Sequence, residues 1–182
     1  MSDFDFVSDK TLLSNIDQAD GLILELLLLT DSEGYKEKPA LISSLRKTII
    51  IYAATIVEAL LLWKLKKACS SGEIELGDEW NYKDPHKIVD QTDGSEIVWL
   101  RREKVKKKLE KIDFVHLIKV CSDKSILSSE KFVQDVDQVR KLRNNLHIGG
   151  LHEVERSYTP EDLEFCFSVL ENVKRSVSKS EA

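Results

Sequence analysis

Between Val139 and Gly149 the chain reads Val-Arg-Lys-Leu-Arg-Asn-Asn-Leu-His-Ile-Gly, a combination able to handle a phosphodiester. An arginine forks onto two phosphate oxygens, a histidine moves a proton near neutral pH, and an amide positions either one. On a helix, Asn144 lies about 400° and His147 about 700° from Arg140, so the three share one polar ridge. Asp137 stands on that ridge one turn earlier. Arg143, directly before Asn144, offers a second arginine at a shorter spacing, so Arg140 and Arg143 both stand as the working residue. His147 also falls in the last turn of the helix, where the dipole favours its charged form. The plainer reading of the segment is a basic last turn closed by Gly149-Gly150 as a C-terminal cap.

The elements that must position these groups are legible from periodicity. Phe132, Val136, Val139, Leu142 and Leu146 recur at helical spacing, which predicts a helix from about 129 to 148 with one buried stripe. A first helix is expected over roughly 9–30, and a long second one over about 39–69 with Pro39 in its first turn. A last helix opens at Thr159-Pro160-Glu161-Asp162, with a capping hydroxyl and acidic early residues, and fades into a polar tail over 176–182. The run from Thr48 to Trp63 is apolar nearly all round, which suits the centre of a bundle. It is also shorter than the roughly 20 residues that a membrane span requires. Glu58 sits inside that run and needs a partner. It either bridges to an arginine or lysine at the core edge or stands beside the Arg140 ridge as an orienting carboxylate.

Residues 71–100 differ in character. Gly72 and Gly77 interrupt the helical pattern, and Asp93-Gly94 is flanked by β-branched runs, which predicts a small β-hairpin with Trp80, Tyr82 and Trp99 as its mini-core, the alternative for these aromatics being a base-stacking platform. Helix is expected to resume near Arg102 and to continue to about Val120. Its start coincides with Arg101-Arg102-Glu103-Lys104-Val105-Lys106-Lys107-Lys108-Leu109-Glu110-Lys111, a local charge of +5 beside Trp99. Arg101, Arg102, Lys104, Lys106, Lys107 and Lys108 are therefore candidate RNA-binding residues, with a solvated helix face as the alternative.

Composition narrows the classes further. The 182 residues carry only 7 Gly and 3 Pro, 32% are charged and 42% apolar, which favours one folded domain over disorder. A net charge of −5 argues against a surface that is basic throughout. Cys69, Cys121 and Cys166 are odd in number and widely spaced, as expected of reduced thiols in the cytoplasm. The acidic start Met1-Ser2-Asp3-Phe4-Asp5 is unlike a signal peptide. No phosphate loop occurs, and His86, His116, His147 and His152 form no ligand motif, so neither cofactor nor metal is expected.

The run Arg143-Asn144-Asn145-Leu146-His147, late in an apolar-striped helix, resembles the motif of the HEPN superfamily (higher eukaryote and prokaryote nucleotide-binding). Members carry an arginine followed by a histidine four to six residues further on, often with Asn directly after an Arg. Six residues separate Arg140 from His147, whereas three separate Arg143 from it. The segment from Tyr52 to Leu61, with its single acid Glu58, is similar to the family's early long helix, and Ile112 to Ile118 is similar to the segment before the motif in bacterial members. Gly149 stands where many toxin members have a tyrosine. The resemblance implies an all-α HEPN-like bundle of about five helices, with the hairpin around 72–100 as an insertion in one domain over 1–182. It further implies a metal-independent endoribonuclease of a toxin–antitoxin or defence system, with Arg140, Arg143, Asn144, His147 and Glu58 at the site. It implies a homodimer, an RNA substrate and an antitoxin or nucleotidyltransferase-like partner. The alternatives are a non-catalytic HEPN module that binds RNA, nucleotide or protein, and a purely structural helical dimer.

Overall fold

The computed structural model describes residues 2–90, 93–106, 109, 112–144 and 157–179. Five α-helices and one hairpin follow in the order α1 (Lys10–Thr30), α2 (Pro39–Ser70), β1 (Asp78–Asp90), β2 (Glu96–Lys106), α3 (Phe114–Asp123), α4 (Glu130–Asn144) and α5 (Pro160–Ser178). Local chemistry sets most helix starts. The Asp9 carboxylate accepts from the Thr11 and Leu12 amides at 3.0 Å each, and Pro39 occupies the first turn of α2. Thr159 and Asp162 form a reciprocal capping box at α5. Each capping acceptor satisfies amides that the helix leaves without a partner.

The central element is α2, against which α1, α3, α4 and α5 all pack. Ile49, Ile50, Ala53, Val57, Leu60 and Leu61 are fully enclosed. From the other side come Val136, Val139 and Leu142 of α4 and Cys166, Val169 and Val173 of α5. α2 is long and apolar enough to span a membrane, yet more than half of its most apolar window is buried in the bundle, as in a core helix. Exposed apolar side chains on the helices concentrate on α1, where Leu24 and Leu28 are 58% and 74% exposed.

The fold is not all-α. The insertion is a long antiparallel ribbon, with β1 and β2 of 13 and 11 residues, and β2 runs on to Lys106. The helix expected to resume near Arg102 instead starts at Phe114. The pairing Trp80↔Lys104 and Tyr82↔Arg102 explains the difference. Residues 101–106 contain Val105 as their one apolar side chain, too little for a helical stripe, whereas the ribbon gives every second residue a partner across the strands. Nor do the aromatics form a mini-core. Trp80 and Tyr82 share one face while Trp99 lies opposite His86 on the other, and all three are about half exposed. A two-stranded ribbon has no second layer to cover them. At its end, Asp90 pairs with Glu96, which makes the connection longer than the expected two-residue turn. Gly94 there adopts φ +85°, and Asp93 accepts from the Ser95 amide at 2.9 Å.

Because Leu60 is enclosed at the crossing of α2 with its neighbours, Leu60→Ala should cost about 2–5 kcal/mol of unfolding free energy in urea titration. A loss below about 1 kcal/mol would contradict this placement of the core.

Candidate functional site

The site is assembled by side chains from three helices, α2, α3 and α4. Glu58, in α2, is partly buried among turns that are apolar apart from Thr55, so its carboxylate loses part of its hydration and gains from a charged partner. Arg143 of α4 answers it, Nη1 donating to Glu58 Oε2 at 2.6 Å, with side chains 30% and 25% exposed. Phe114, the first residue of α3, lies under the same guanidinium, 5.8 Å from Cζ to the ring centre. Arg143 is thereby fixed by charge on one side and by an aromatic face on another.

Arg140 lies one turn earlier on α4. Its Nε donates to Asp137 Oδ1 at 2.7 Å, and Asp137 Oδ2 also meets Lys141 Nζ at 2.9 Å. The hydrogen bond from Arg140 chiefly, and then that from Lys141, hold the Asp137 carboxyl below its ordinary value even though partial burial opposes them. Asp113 caps α3, accepting from the His116 amide at 2.8 Å with His116 Nδ1 also at 2.8 Å, and these bonds lower its pKa as well.

Glu58, Asp113, Phe114, Arg140, Arg143 and Asn144 line one open pocket. The sequence-derived candidates Glu58, Arg140, Arg143 and Asn144 therefore come together. His147 falls outside the described residues. Asp113 and Phe114 were missed as site residues, although an aspartate three positions before His116 and just ahead of an apolar run is a readable helix-start signal. A guanidinium has five donors, so each arginine retains hydrogen-bonding capacity beyond its carboxylate. Two arginines and two carboxylates leave these lining residues formally neutral.

The basic run is divided rather than brought to the pocket. Arg101, Arg102 and Lys104 lie on β2, Lys106 ends that strand, and Lys107 and Lys108 fall outside the described residues. Arg101 Nη2 pairs with Glu103 at 2.7 Å, and Lys83 pairs with the same carboxylate at 3.0 Å. Burial pushes the thiols of Cys121 and Cys166 up to about 12, so neither is a nucleophilic thiolate at neutral pH. Among the described residues, no group of three His, Cys, Asp or Glu side chains is placed to hold a metal ion. No family model, curated protein or solved structure matches this chain.

Two stability predictions follow from the ion pairs. Glu58→Ala strands a partly buried guanidinium and should cost about 1–3 kcal/mol, and a double-mutant cycle with Arg143→Ala should recover a coupling of at least about 0.5 kcal/mol; additive losses would contradict the pairing. For Asp137 the folded pKa lies below the unfolded one, so its contribution is present above the unfolded value and lost as pH falls through the folded value. Asp137→Asn should therefore lower the melting temperature at pH 7, with the difference from wild type shrinking as pH drops below about 4. A difference independent of pH would contradict it.

Proposed function

We propose that the chain is a HEPN-type, metal-independent endoribonuclease acting in the cytoplasm. The observation that supports this most is the Glu58–Arg143 pair, which sets the Arg-Asn of the motif into the same pocket as Arg140. In the proposed reaction the ribose 2′-oxygen attacks the adjacent phosphorus and the bond from phosphorus to the 5′-oxygen breaks. A cyclic 2′,3′-phosphate and a free 5′-hydroxyl result. His147, three residues beyond Asn144, takes the 2′-hydroxyl proton or supplies one to the leaving 5′-oxygen, with solvent water serving the other transfer. Arg143 and Arg140 neutralise charge developing on the phosphorane oxygens, and Asn144 positions the phosphate. Glu58 is a positioning residue, acting through Arg143. Two copies meet through the exposed leucines of α1 in this reading.

One observation favours a second reading, a helical module without catalysis. Both arginines are already engaged by carboxylates, Arg140 within α4 at 2.7 Å and Arg143 with Glu58 of α2 at 2.6 Å, and the second pair braces α4 against α2 without any ligand.

Cleavage separates the two. Wild-type protein incubated with single-stranded RNA in EDTA should yield cyclic-phosphate ends. Arg143→Ala and His147→Ala should each reduce the rate about 100-fold or more, and His147→Ala should leave the melting temperature nearly unchanged. A wild-type protein that cleaves no RNA, with or without divalent ions, would leave the bracing module as the correct reading.

A further inference from the structure

The pocket lining carries as many carboxylates as arginines, so it offers little long-range attraction to a polyanion. Attraction of that kind resides on the ribbon, which packs chiefly on itself and stands apart from the bundle as an arm. Its two faces are chemically different. On one, which also carries the half-exposed Trp99 ring, Lys83 and Arg101 both pair with Glu103, and their charge is largely spent within the protein. On the other, Trp80 and Tyr82 of β1 stand opposite Lys104 and Arg102 of β2. The Arg102 guanidinium lies 4.5 Å from the Trp80 ring centre, and Lys104 Nζ lies 5.5 Å from it. No carboxylate pairs with Arg102 or Lys104 among the described residues, and Trp80 and Tyr82 are 45% and 57% exposed.

From this asymmetry we infer that the Trp80–Tyr82–Arg102–Lys104 face of the arm is a binding platform for single-stranded RNA. The inference rests on the ribonuclease reading for its substrate and adds the surface that captures it. Exposed rings offer π-faces to bases irrespective of sequence, and a guanidinium close over tryptophan adds a cation that can itself stack on a base. Unpaired cations beside them meet the phosphates, whereas paired bases within a duplex cannot reach the rings. The arm is also tied to the pocket by the chain itself. Lys106 ends β2 and Phe114 is a pocket residue, so the two are at most about 29 Å apart. A strand held on this face therefore lies within a few nucleotides' reach of Arg140 and Arg143.

The test compares faces at equal charge. Binding of a fluorescein-labelled, single-stranded 2′-O-methyl RNA 12-mer is followed by anisotropy, because that backbone lacks the attacking hydroxyl and reports binding whether or not the protein cleaves. Arg102→Gln with Lys104→Gln removes two cations from the platform face, and Lys83→Gln with Arg101→Gln removes two from the opposite face. The platform pair should weaken binding on the order of tenfold or more and flatten the salt dependence by about 1.4 in log–log slope, whereas the opposite pair should change neither appreciably. Trp80→Ala should weaken binding by about fivefold or more without altering that slope, and a duplex of equal length should compete poorly. Equal weakening by both pairs would reduce the arm to diffuse charge and overturn the platform. Unchanged binding in all three variants would overturn it too, and loss of dimer by Trp80→Ala in sedimentation would then assign the face to a second copy. Circular dichroism of each variant separates these outcomes from misfolding.

Discussion

A partly buried carboxylate on the central helix is costly unless paired, and Glu58 is paired with an arginine 85 residues further along. That requirement fixes more than one contact. It sets the rotation of α4 about its axis, because Val136, Val139 and Leu142 must face α2 while Arg143 reaches Glu58. It also draws in Phe114, since the guanidinium that meets Glu58 lies over this ring, so α3 is tied to the same spot. The pocket is what remains between these commitments. Replacing the pair with apolar side chains of similar size could leave the bundle as stable or more so, which is why an ion pair here has to be explained by more than packing.

In the proposed ribonuclease, recognition and chemistry fall to two parts of the chain. The pocket lining balances its charges and holds its arginines in place, an arrangement that keeps donors ordered and involves little rearrangement when charge develops. The ribbon works the opposite way, with unpaired cations and half-exposed rings on one face. An overall charge of −5 does not conflict with an anionic substrate, because attraction depends on where the positive charge is left uncompensated.

How much of this could be read from residues alone follows the range of the interactions. Helix starts are local, and Asp9, Pro39 and the Thr159–Asp162 box mark them in sequence. The stripe on α4 is local as well. Residues 101–106 misled for the reverse reason: charged residues are good helix formers, and the strand partners that overrule them lie some twenty positions away at Trp80 and Tyr82. For the site, the helical wheel identifies the ridge containing Arg140 and Asn144 and singles out Glu58 as a residue in need of a partner. It does not say which arginine faces α2, because that depends on how two helices pack. Asp113 and Phe114 escaped notice for the same reason, entering the pocket only through the placement of α3 beside α4.

The central claim is that Arg143, held by Glu58, meets the phosphate of a bound RNA together with Arg140. The most direct measurement is a titration of the arginine side-chain N–H resonances, assigned by single substitution, with a 2′-O-methyl dinucleotide. Saturable shifts of the Arg143 and Arg140 signals are expected if both meet the phosphate, lost for Arg143 in Glu58→Gln. Arginine signals in the pocket that stay fixed at saturating ligand, while those of the ribbon move, would contradict it.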